Sequence, residues 1–471
     1  MKKNIVLYVL SALILISDFA SAQSLSLKQC IEQAIANNVP VKQSGLLIES
    51  ADINLSQAKS NQLPNLNGNF SYGFNQGRSV DPITNNYISQ QLFSSNVGLS
   101  SGIVVYNGLR LHNLITQNAL NLEASKMDFQ QAKYNLTLNV ILAYLQVLSN
   151  ESSLETTKKQ LESTKKQVER MSILVTQGSA GNYQLADLKG QQGTEEINIL
   201  NLQNSLQQAK LSLCQLMNID FNPDIQIEKI EEVETLHATS LPKEIYNSAL
   251  QNLAVIRATD FRIKSAEKSI KIAESGYYPS VSFNANLGSS YSSLAQKLSP
   301  TTTTTEGTTG DYILVNGAEN PVLRKNQNYD KSNIGYAQQL NNNLGIYAGL
   351  NAQIPIFNNF LVKNRVKQAE LIFKNSQLDA QNIKWQLHQN IEQASLNANN
   401  SLTRYQKLTE QVKNFEESFR AAEIRFKNGV INATEFLIAK NNLDKAKLDV
   451  TQTRYEYIFR TKLLDFYQGK Q

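Results

Sequence analysis

The residues with the chemistry for metal ligation, acid–base transfer or nucleophilic attack are few and scattered. They include three histidines, two cysteines and the adjacent glutamates of the helical segments: His112, His237, His388, Cys30, Cys214, Glu195-Glu196 and Glu416-Glu417. No histidine has a second histidine or a cysteine at helical spacing, and two cysteines are too few for a zinc site or a disulfide scaffold. The glutamate pairs fit solvated helix faces better than acid–base pairs. No P-loop motif occurs. The sequence therefore predicts no enzyme, no cofactor and no metal site.

The overall composition is that of an ordered chain without affinity for nucleic acid. The 471 residues are 41% hydrophobic and 18% charged, and the formal net charge of +5 is spread along the chain. A small net charge combined with long apolar-periodic segments excludes a disordered protein. Nucleic-acid binding would need the basic residues gathered in a run or on one face, and they are not.

The N-terminus carries the features of an export signal. Lys2 and Lys3 precede an apolar run over residues 5–16, and Ala20-Ser21-Ala22 then supplies a small-x-small cleavage site. The alternative is a membrane anchor, but the run is shorter than the about 20 residues that a spanning helix needs. The residue directly after the site is Gln23 and not a cysteine, so a lipoprotein signal is excluded. We expect cleavage after Ala22, export, and no membrane-spanning helix in the mature chain.

The two halves of the mature chain repeat one another. Four residue pairs mark the repeat: Ala34 with Ala249 and Pro64 with Pro279 at an offset of 215, then Tyr106 with Phe357 and Gly178 with Gly429 at an offset of 251. The offset grows by 36 between the second and third pairs, so the second half carries an insertion between about residues 289 and 343. Its five consecutive threonines and its glycines have the composition of a loop.

Each half contains a long helical hairpin. Apolar side chains recur every seven residues along one segment of each half: Val140, Val147, Leu154, Leu161, Val168 and Val175, then Ile391, Ala398, Tyr405, Val412, Phe419 and Phe426. This spacing is typical of a long helix packed by knobs into holes. The pattern predicts helices over 27–62, 109–177, 182–217, 243–276, 360–428 and 432–467. A long helix is then roughly 100 Å and a short one about 54 Å, so two short helices placed end to end match one long helix in a rod.

Four segments alternate between apolar and polar residues over about ten positions. The segments are 65–74, 96–106, 280–288 and 345–356. That length and period are typical of outer-membrane barrel strands, although a half-buried strand of a soluble sheet has the same pattern. Export without a membrane helix favours the barrel. Four strands cannot close a barrel and open edges are not viable in lipid, so two, three or four copies would share one.

These features together resemble the TolC-type outer-membrane efflux proteins over essentially the whole mature chain. The resemblance rests on the duplicated plan, on Pro64 and Pro279 at the helix-to-strand junctions, and on the glycine turns between helices. The most specific match is the segment AAEIRFKNGVINATEFLIAKNNLDKAK, in which Gly429 is followed by Glu435-Phe436-Leu437. The first copy departs from the pattern, with Gln184 in the acidic position.

The resemblance implies an α+β fold. Long antiparallel helices would form a periplasmic α-barrel, and four antiparallel strands would contribute to a shared trimeric 12-stranded β-barrel in outer-membrane lipid. The chain would divide into a signal peptide (1–22), a first repeat (23–217), an equatorial linker (218–242) and a second repeat (243–471), with an extracellular loop over about 291–341. The homotrimer would join an inner-membrane pump through a periplasmic adaptor protein.

Two sets of residues are candidate sites at the turns between the paired helices. The resemblance suggests that the turns contact the adaptor through Gly178, Ser179, Asn182, Gly429, Val430, Asn432 and Glu435. Charged residues one to three helical turns away could hold a periplasmic gate closed by ion pairs: Lys165, Lys166, Glu169, Arg170, Glu416, Glu417, Arg420 and Arg425. The alternative is that the glycines only terminate helices.

Three functions fit these features. The first two are passive conduits, one for small molecules in a three-part pump and one for type I protein secretion, and both have the same sequence features. The third is a secreted coiled-coil scaffold or adhesin without a pore. The cysteines leave two states open, a disulfide or two unpaired buried thiols, and the second is the simpler.

Overall fold

The computed structural model describes residues 24–80, 85–89, 91–229 and 241–470. The predicted signal peptide lies outside the described residues, as does the part of the linker over 230–240. The chain forms two compact units. The helical unit comprises the described residues within Met1–Ile53, Asn118–Ala266 and Ile372–Gln471, and the strand unit comprises those within Asn54–Gln117 and Glu267–Leu371.

The strand unit contains eight strands in the described ranges. In chain order they are β1 (Asn65–Asn75), β2 (Ser79–Val80), β3 (Tyr87–Ile88), β4 (Leu92–Asn107), β5 (Ser280–Ser292), β6 (Gln296–Val315), β7 (Ala318–Asn333) and β8 (Gly345–Gln353). The main sheet has the order β1-β4-β5-β8, with every neighbouring pair antiparallel. It therefore contains the four strands expected from the alternating pattern, two from each repeat.

The strand ends differ from the prediction in three places. Strand β8 ends at Gln353 rather than at residue 356, because Pro355 has no N–H group to donate to a ladder. Strand β4 begins four residues earlier, and β5 extends to Ser292. A bulge at Val105 shifts the register, so that Tyr106 pairs with Val281 and takes the apolar face that strict alternation would give to Val105.

The inserted segment, 291–341, is not an irregular loop as its composition suggested. It contains the long hairpin β6–β7, followed by a short helix, α7 (Tyr336–Asn342). Asn316 and Gly317 form the two-residue turn with φ values of 52° and 80°, as a type I′ turn requires. The threonine run belongs to β6, since β-branched side chains favour strands. The threonines and glycines of this segment have the composition of a loop but lie in paired strands, so composition alone gave the wrong prediction.

The helices of the two repeats correspond. The first repeat supplies α1 (Leu27–Asn37), α2 (Val39–Ser60), α3 (Arg110–Thr176) and α4 (Asn182–Met217); the second supplies α5 (Pro242–Asn252), α6 (Ala254–Glu274), α8 (Leu361–Lys427) and α9 (Ala433–Tyr467). The long helices and their return helices agree with the prediction to within a residue or two at each end. None of the helices in the described ranges carries an apolar stretch of the length and hydropathy needed to cross a membrane.

The first helix of each repeat, over 27–62 and 243–276, was predicted as one piece and is instead two. The first breaks at Asn38, two residues before Pro40, whose missing N–H group and ring disfavour a continuous helix. The second breaks at Leu253, 215 positions later, where the sequence has no proline. Leu253 is buried in a core cluster with Ile245, and the N–H of each breaking residue still bonds to the carbonyl four residues earlier. The break is therefore a feature of the repeat and not of the proline alone.

The core of the helical unit consists of three apolar clusters. The first repeat packs Cys30, Val140, Tyr144, Leu213 and Met217 together. The second repeat packs Ile245, Ala249, Leu253, Ile391 and Leu464 in the equivalent positions. A third cluster lies between the two helical hairpins, close to their turns. The heptad seam predicted from sequence supplies much of this core, with Val140, Val147, Ile391 and Ala398 fully buried.

Candidate functional site

One face of the main sheet is apolar and open to solvent in the single chain. Directly paired residues of antiparallel strands lie on the same face, so the strand register assigns each side chain. The apolar face carries Leu66, Phe70, Tyr72, Phe74, Phe93, Val97, Leu99, Ile103, Phe283, Leu287, Ile346 and Leu350. Ile346 is 79% exposed, Leu66 73% and Leu350 71%. An apolar surface of this extent on a strand sheet is expected to face lipid.

The opposite face is polar and carries no charge. Apart from Tyr347 and two apolar residues of β4, Leu92 and Val104, its residues are mainly asparagines, serines and glycines: Asn65, Asn67, Asn69, Ser71, Gly98, Ser100, Gly102, Asn284, Asn286, Gly288, Gly349 and Asn351. None of the residues of β1, β4, β5 and β8 is charged on either face. Amide and hydroxyl groups interact with water without binding ions tightly, so this face suits the wall of an aqueous passage.

The sheet has two open edges in the single chain. Within the part of the chain that the structure describes, strands β1 and β8 each pair with one neighbour, so each leaves a row of unpaired N–H and C=O groups. Such edges are not stable in a hydrocarbon environment, where every backbone group must be paired. Further copies of the same sheet would pair with both edges and close it.

The two turns between paired helices have the same geometry. Gly178 and Gly429 have φ values of 71° and 70°, the left-handed conformation that glycine adopts at a helix C-terminus. The residue after each glycine donates its N–H to the carbonyl five residues earlier: Ser179 to Leu174 at 2.8 Å and Val430 to Arg425 at 2.9 Å. A side chain added at either glycine would meet no atom within 4 Å. The turns are thus rigid in backbone and open on their outer side.

The seven residues expected to contact an adaptor are all exposed at these turns. The second copy begins its return helix with Asn432, whose side chain accepts a hydrogen bond from the Glu435 N–H at 2.9 Å. In the first copy Gly181 occupies the equivalent capping position and supplies no side chain. Asn182, the asparagine among the candidate contacts of the first copy, is the first residue of α4. The two turns therefore have the same backbone conformation but differ in the polarity of their side chains.

A compact aromatic cluster lies next to the turns. Phe436, fully buried, stacks on Phe426 at 4.7 Å between ring centroids and packs against Phe419 at 5.6 Å. Met171 and Leu188 from the first repeat complete the cluster, so it joins the two helical hairpins. Phe436 follows Glu435 in the motif that carries the family resemblance, and the structure gives it a packing role.

The predicted gate residues make contacts within their own chain. Lys165 lies 3.9 Å from Glu196, Lys166 lies 2.8 Å from Glu162, and Glu416 lies 2.9 Å from Lys447. The guanidinium of Arg170 donates to the Lys427 carbonyl at 3.4 Å, while Ser172 donates its hydroxyl to the Glu169 carbonyl. Among the described residues, Glu417, Arg420 and Arg425 have no ion-pair partner. All of these side chains lie at the surface, where an ion pair contributes at most about 1 kcal/mol.

A buried charge network that sequence reasoning missed joins the two hairpins. Lys440 lies 2.7 Å from Glu195 and 2.6 Å from Asp444, and it is 2% exposed. Thr164 and Gln191 also donate to the same Glu195 oxygen, at 3.0 and 2.9 Å. The other oxygen of Glu195 is buried without a hydrogen-bond partner. Burial raises the pKa of the Asp444 carboxyl, and the attraction of Lys440 only partly offsets that rise.

The interpretation of Glu195 as part of a solvated pair is therefore wrong. Glu195 is 4% exposed, while its neighbour Glu196 is at the surface. The signal was present in the heptads: Glu195 stands seven residues after Leu188 and seven before Leu202, on the buried seam. A polar residue at a seam position is a recognised device for fixing the register of paired helices.

The remaining candidates for chemistry take structural positions. His388 packs its ring on Tyr246 and Trp385, and His112 lies on α3. His237 is outside the described residues. Cys30 and Cys214 are free and buried in the same cluster, where burial and the neighbouring thiol raise the pKa of Cys30 to about 11. Across the described ranges no group of histidine, cysteine and acidic residues could hold a metal ion.

A sheet with a lipid-facing side, an uncharged polar side and two open edges, joined to paired long helices, defines a class of protein: a channel of the bacterial outer membrane. The sequence profile described as "Outer membrane efflux protein" matches residues 30–218 and 245–465. The chain belongs to this family. It is therefore an outer-membrane channel that extends into the periplasm, a passive duct and not an enzyme. This result excludes the secreted scaffold without a pore.

Individual relatives are distant in sequence, and two of the three named here align along nearly the whole chain. The outer membrane protein TolC of Escherichia coli is 22% identical over 447 residues, which cover 94% of this chain and 82% of TolC. The toxin and drug export protein A of Aggregatibacter actinomycetemcomitans is 21% identical over 60% of this chain and 59% of its own length. The outer membrane protein VceC of Vibrio cholerae has the same fold, with a TM-score of 0.74, 16% identity and coverage of 94% and 96%.

Proposed function

We propose that three copies of this chain form one outer-membrane channel that serves as the exit duct of a tripartite export system. TolC-like channels form trimers and work with adaptor and inner-membrane pump components. The observation that carries the proposal is the uncharged four-stranded sheet with both edges unpaired. Three copies supply twelve strands, enough for a barrel with a water-filled interior.

The polar sheet face supports transport of varied solutes. Asparagine, serine and glycine present small neutral groups, and a wall of this kind discriminates little between positively and negatively charged molecules. The relative from Aggregatibacter actinomycetemcomitans is named for export of both toxins and drugs. Small-molecule efflux and type I protein secretion are thus two uses of the same duct, and the inner-membrane partner selects between them.

The trimer is tested by the mass of the detergent-solubilised protein. The expected mass is about three times that of the mature protomer, because closing the sheet requires partners for both β1 and β8. A monodisperse monomer that stays in the outer-membrane fraction would contradict the shared barrel. A stable dimer or tetramer would contradict the strand count while leaving the principle of sharing intact.

The helical turns are the proposed contact with the adaptor, and the exposed charges near them the proposed gate. Both turns are rigid and open on their outer side, as a docking surface requires. Each gate-region ion pair is weak on its own, so adaptor binding could open several of them at small cost. Opening of the gate would break ion pairs within the chain, such as that between Lys165 and Glu196, and replace them with other contacts.

Two substitutions at Gly429 separate docking from folding. Gly429→Trp and Gly429→Ala share the backbone strain of a φ of 70°, about 1 kcal/mol, and neither side chain meets an atom of its own chain at Cβ. We expect the tryptophan variant to lose at least tenfold in drug resistance or secretion, and the alanine variant to resemble wild type, both with normal trimer levels. Equal activity of the two variants with a normal trimer would show that this turn contacts no partner.

A further inference from the structure

The buried network between the two helical hairpins contains more acid than base. Glu195 and Asp444 each contribute a carboxyl group, and among the described residues Lys440 is the only cation within 4 Å of either. With all three groups ionised, the network carries one uncompensated negative charge. Lys440 is 2% exposed and Glu195 4%, so water does little to stabilise that charge.

The hydrogen bonds of Glu195 all go to one of its two oxygens. Lys440, Thr164 and Gln191 donate to Oε1 at 2.7, 3.0 and 2.9 Å. Oε2 is buried and has no hydrogen-bond partner. On Asp444, the carboxyl accepts from the same Lys440 ammonium at 2.6 Å, and no other described side chain donates to it. The network therefore has too few donors to satisfy two ionised carboxyl groups.

Asp444 is the member of the network that solvent reaches most easily. Its side chain is 19% exposed, against 5% for Glu195 and 3% for Lys440. A protonated carboxyl keeps a carbonyl oxygen, which still accepts from the Lys440 ammonium. A proton on Asp444 would therefore neutralise the network without breaking its contacts.

The charges around Asp444 come from two helices. From α4, Glu195 disfavours the ionised form of Asp444, whereas Lys440 and Lys447 of α9 favour it. Lys447 is itself paired with Glu416 of α8 at 2.9 Å, and the groups of α3 that bond to the network are neutral. Burial outweighs both lysines and raises the pKa of the Asp444 carboxyl above its ordinary value.

We propose that Asp444 is a proton-binding site that links the packing of the two hairpins to pH. In mildly acidic solution the packed network takes up one proton on Asp444, which leaves Glu195 paired with Lys440 and no net charge. When α9 separates from α4, the Asp444 carboxyl becomes hydrated and releases that proton to water. Acid therefore strengthens the contact between the hairpins and alkali weakens it. The site lies within one chain, so it goes beyond the proposed duct and does not depend on it.

Hydrogen exchange of the detergent-solubilised protein tests the site. Exchange rates of peptides from α4 and α9 are measured at pH 8 and pH 5, and each is divided by the rate of the unfolded peptide at the same pH. We expect the protection of wild type to rise by at least about fivefold at pH 5, because the packed form binds the proton more tightly. Asp444→Asn keeps the shape of the side chain and cannot titrate, so its protection should stay constant. Asp449→Asn, on the same helix but outside the network, should behave as wild type.

A second variant tests the charge imbalance itself. Glu195→Gln removes one of the two negative charges, so Asp444 can remain ionised beside Lys440 and the rise in protection should disappear. Circular dichroism at pH 5 selects variants that keep their helix content. Constant protection in wild type, or a rise that persists in either Asp444→Asn or Glu195→Gln, would overturn the proton site. These outcomes leave the proposed duct standing, whereas a wild-type chain found as a monomer would refute the duct and leave the proton site standing.

Discussion

Replacing Lys440 with methionine tests the buried network between the two hairpins. The ammonium group of Lys440 is shared between Glu195 at 2.7 Å and Asp444 at 2.6 Å, and both it and Glu195 are almost fully buried. Methionine has nearly the same length and fills the site without the charge. The variant therefore leaves two carboxylates facing one another in a water-poor region.

The size of the effect follows from that burial. Removing one partner of a buried ion pair costs about 3–5 kcal/mol, because the remaining charge stays desolvated. At about 1.4 kcal/mol per factor of ten, the contact between the hairpins opens from a hundredfold to a few thousandfold more often. The surface pair between Lys447 and Glu416 supplies a control, since its side chains are 39% and 51% exposed. Lys447→Met is expected to cost less than about 1 kcal/mol.

Native-state proteolysis of the detergent-solubilised channel measures the opening. When reclosing is fast, cleavage follows the population of the open form, so Lys440→Met should be cleaved in the helical unit far faster than Lys447→Met. Thermal unfolding followed by circular dichroism at 222 nm gives the same ranking. Adding Glu195→Gln to Lys440→Met should recover part of the loss, because one stranded charge is removed.

The result that would refute this reasoning is equality of the two lysine variants. If Lys440→Met and Lys447→Met had the same cleavage rate and melting temperature, the network would contribute no more than a surface pair. A deficit in Lys440→Met that did not shrink as the pH fell would also contradict it, since protonation of the stranded carboxylates should relieve their cost.

The other predictions concern acidity, thiols and the hairpin base. Because the pKa of Asp444 is raised in the folded state, its contribution to stability is present below the ordinary carboxyl pKa and is lost as the pH rises through the raised value. The free energy of unfolding, measured by urea titration between pH 4 and 8, should therefore fall with rising pH, and Asp444→Asn should remove this decrease. Cys30 and Cys214 should resist maleimide in the native protein at pH 8 and give two free thiols when denatured without reductant, whereas the absence of free thiols would indicate a disulfide. Gln339→Leu should accelerate proteolysis of the β6–β7 hairpin, because it removes the two hydrogen bonds between the Gln339 side chain and the Ser292 backbone, each worth about 0.5–1.5 kcal/mol, and unchanged cleavage would show that the base is held by other contacts.

Much of the fold could be predicted from sequence because its determinants are periodic and long. The long helices were located to within two residues, since heptads over nearly 70 residues average out local exceptions. The four strands of the sheet were found by their alternation, and the duplication provided an independent check on each. Helix breaks were missed for the opposite reason: Leu253 interrupts a helix through tertiary packing, and no single residue there marks a stop.

The candidate site was less predictable, because it depends on which helices meet. Glu195 and Lys440 are 245 positions apart, and only the packing of α4 against α9 brings them together. The hairpin β6–β7 could have been recognised from Asn316-Gly317 between apolar residues, the strongest local indication of a hairpin turn. The average composition of the whole insertion gives no weight to a single dipeptide, so this indication was missed. The adaptor contacts and gate remain predictions, since they involve surfaces of other molecules.

The absence of charge from the four sheet strands has a consequence for electrodiffusion. A pore wall with no fixed charge attracts no counter-ions, so it acts as a neutral sieve and not as an ion exchanger. In planar bilayers the potassium-to-chloride permeability ratio contributed by the strand region should stay near the ratio of the ions' mobilities in free solution. Any rectification or ion preference would then originate in the charged helices, which would make the membrane-embedded part of the duct indifferent to the sign of its cargo.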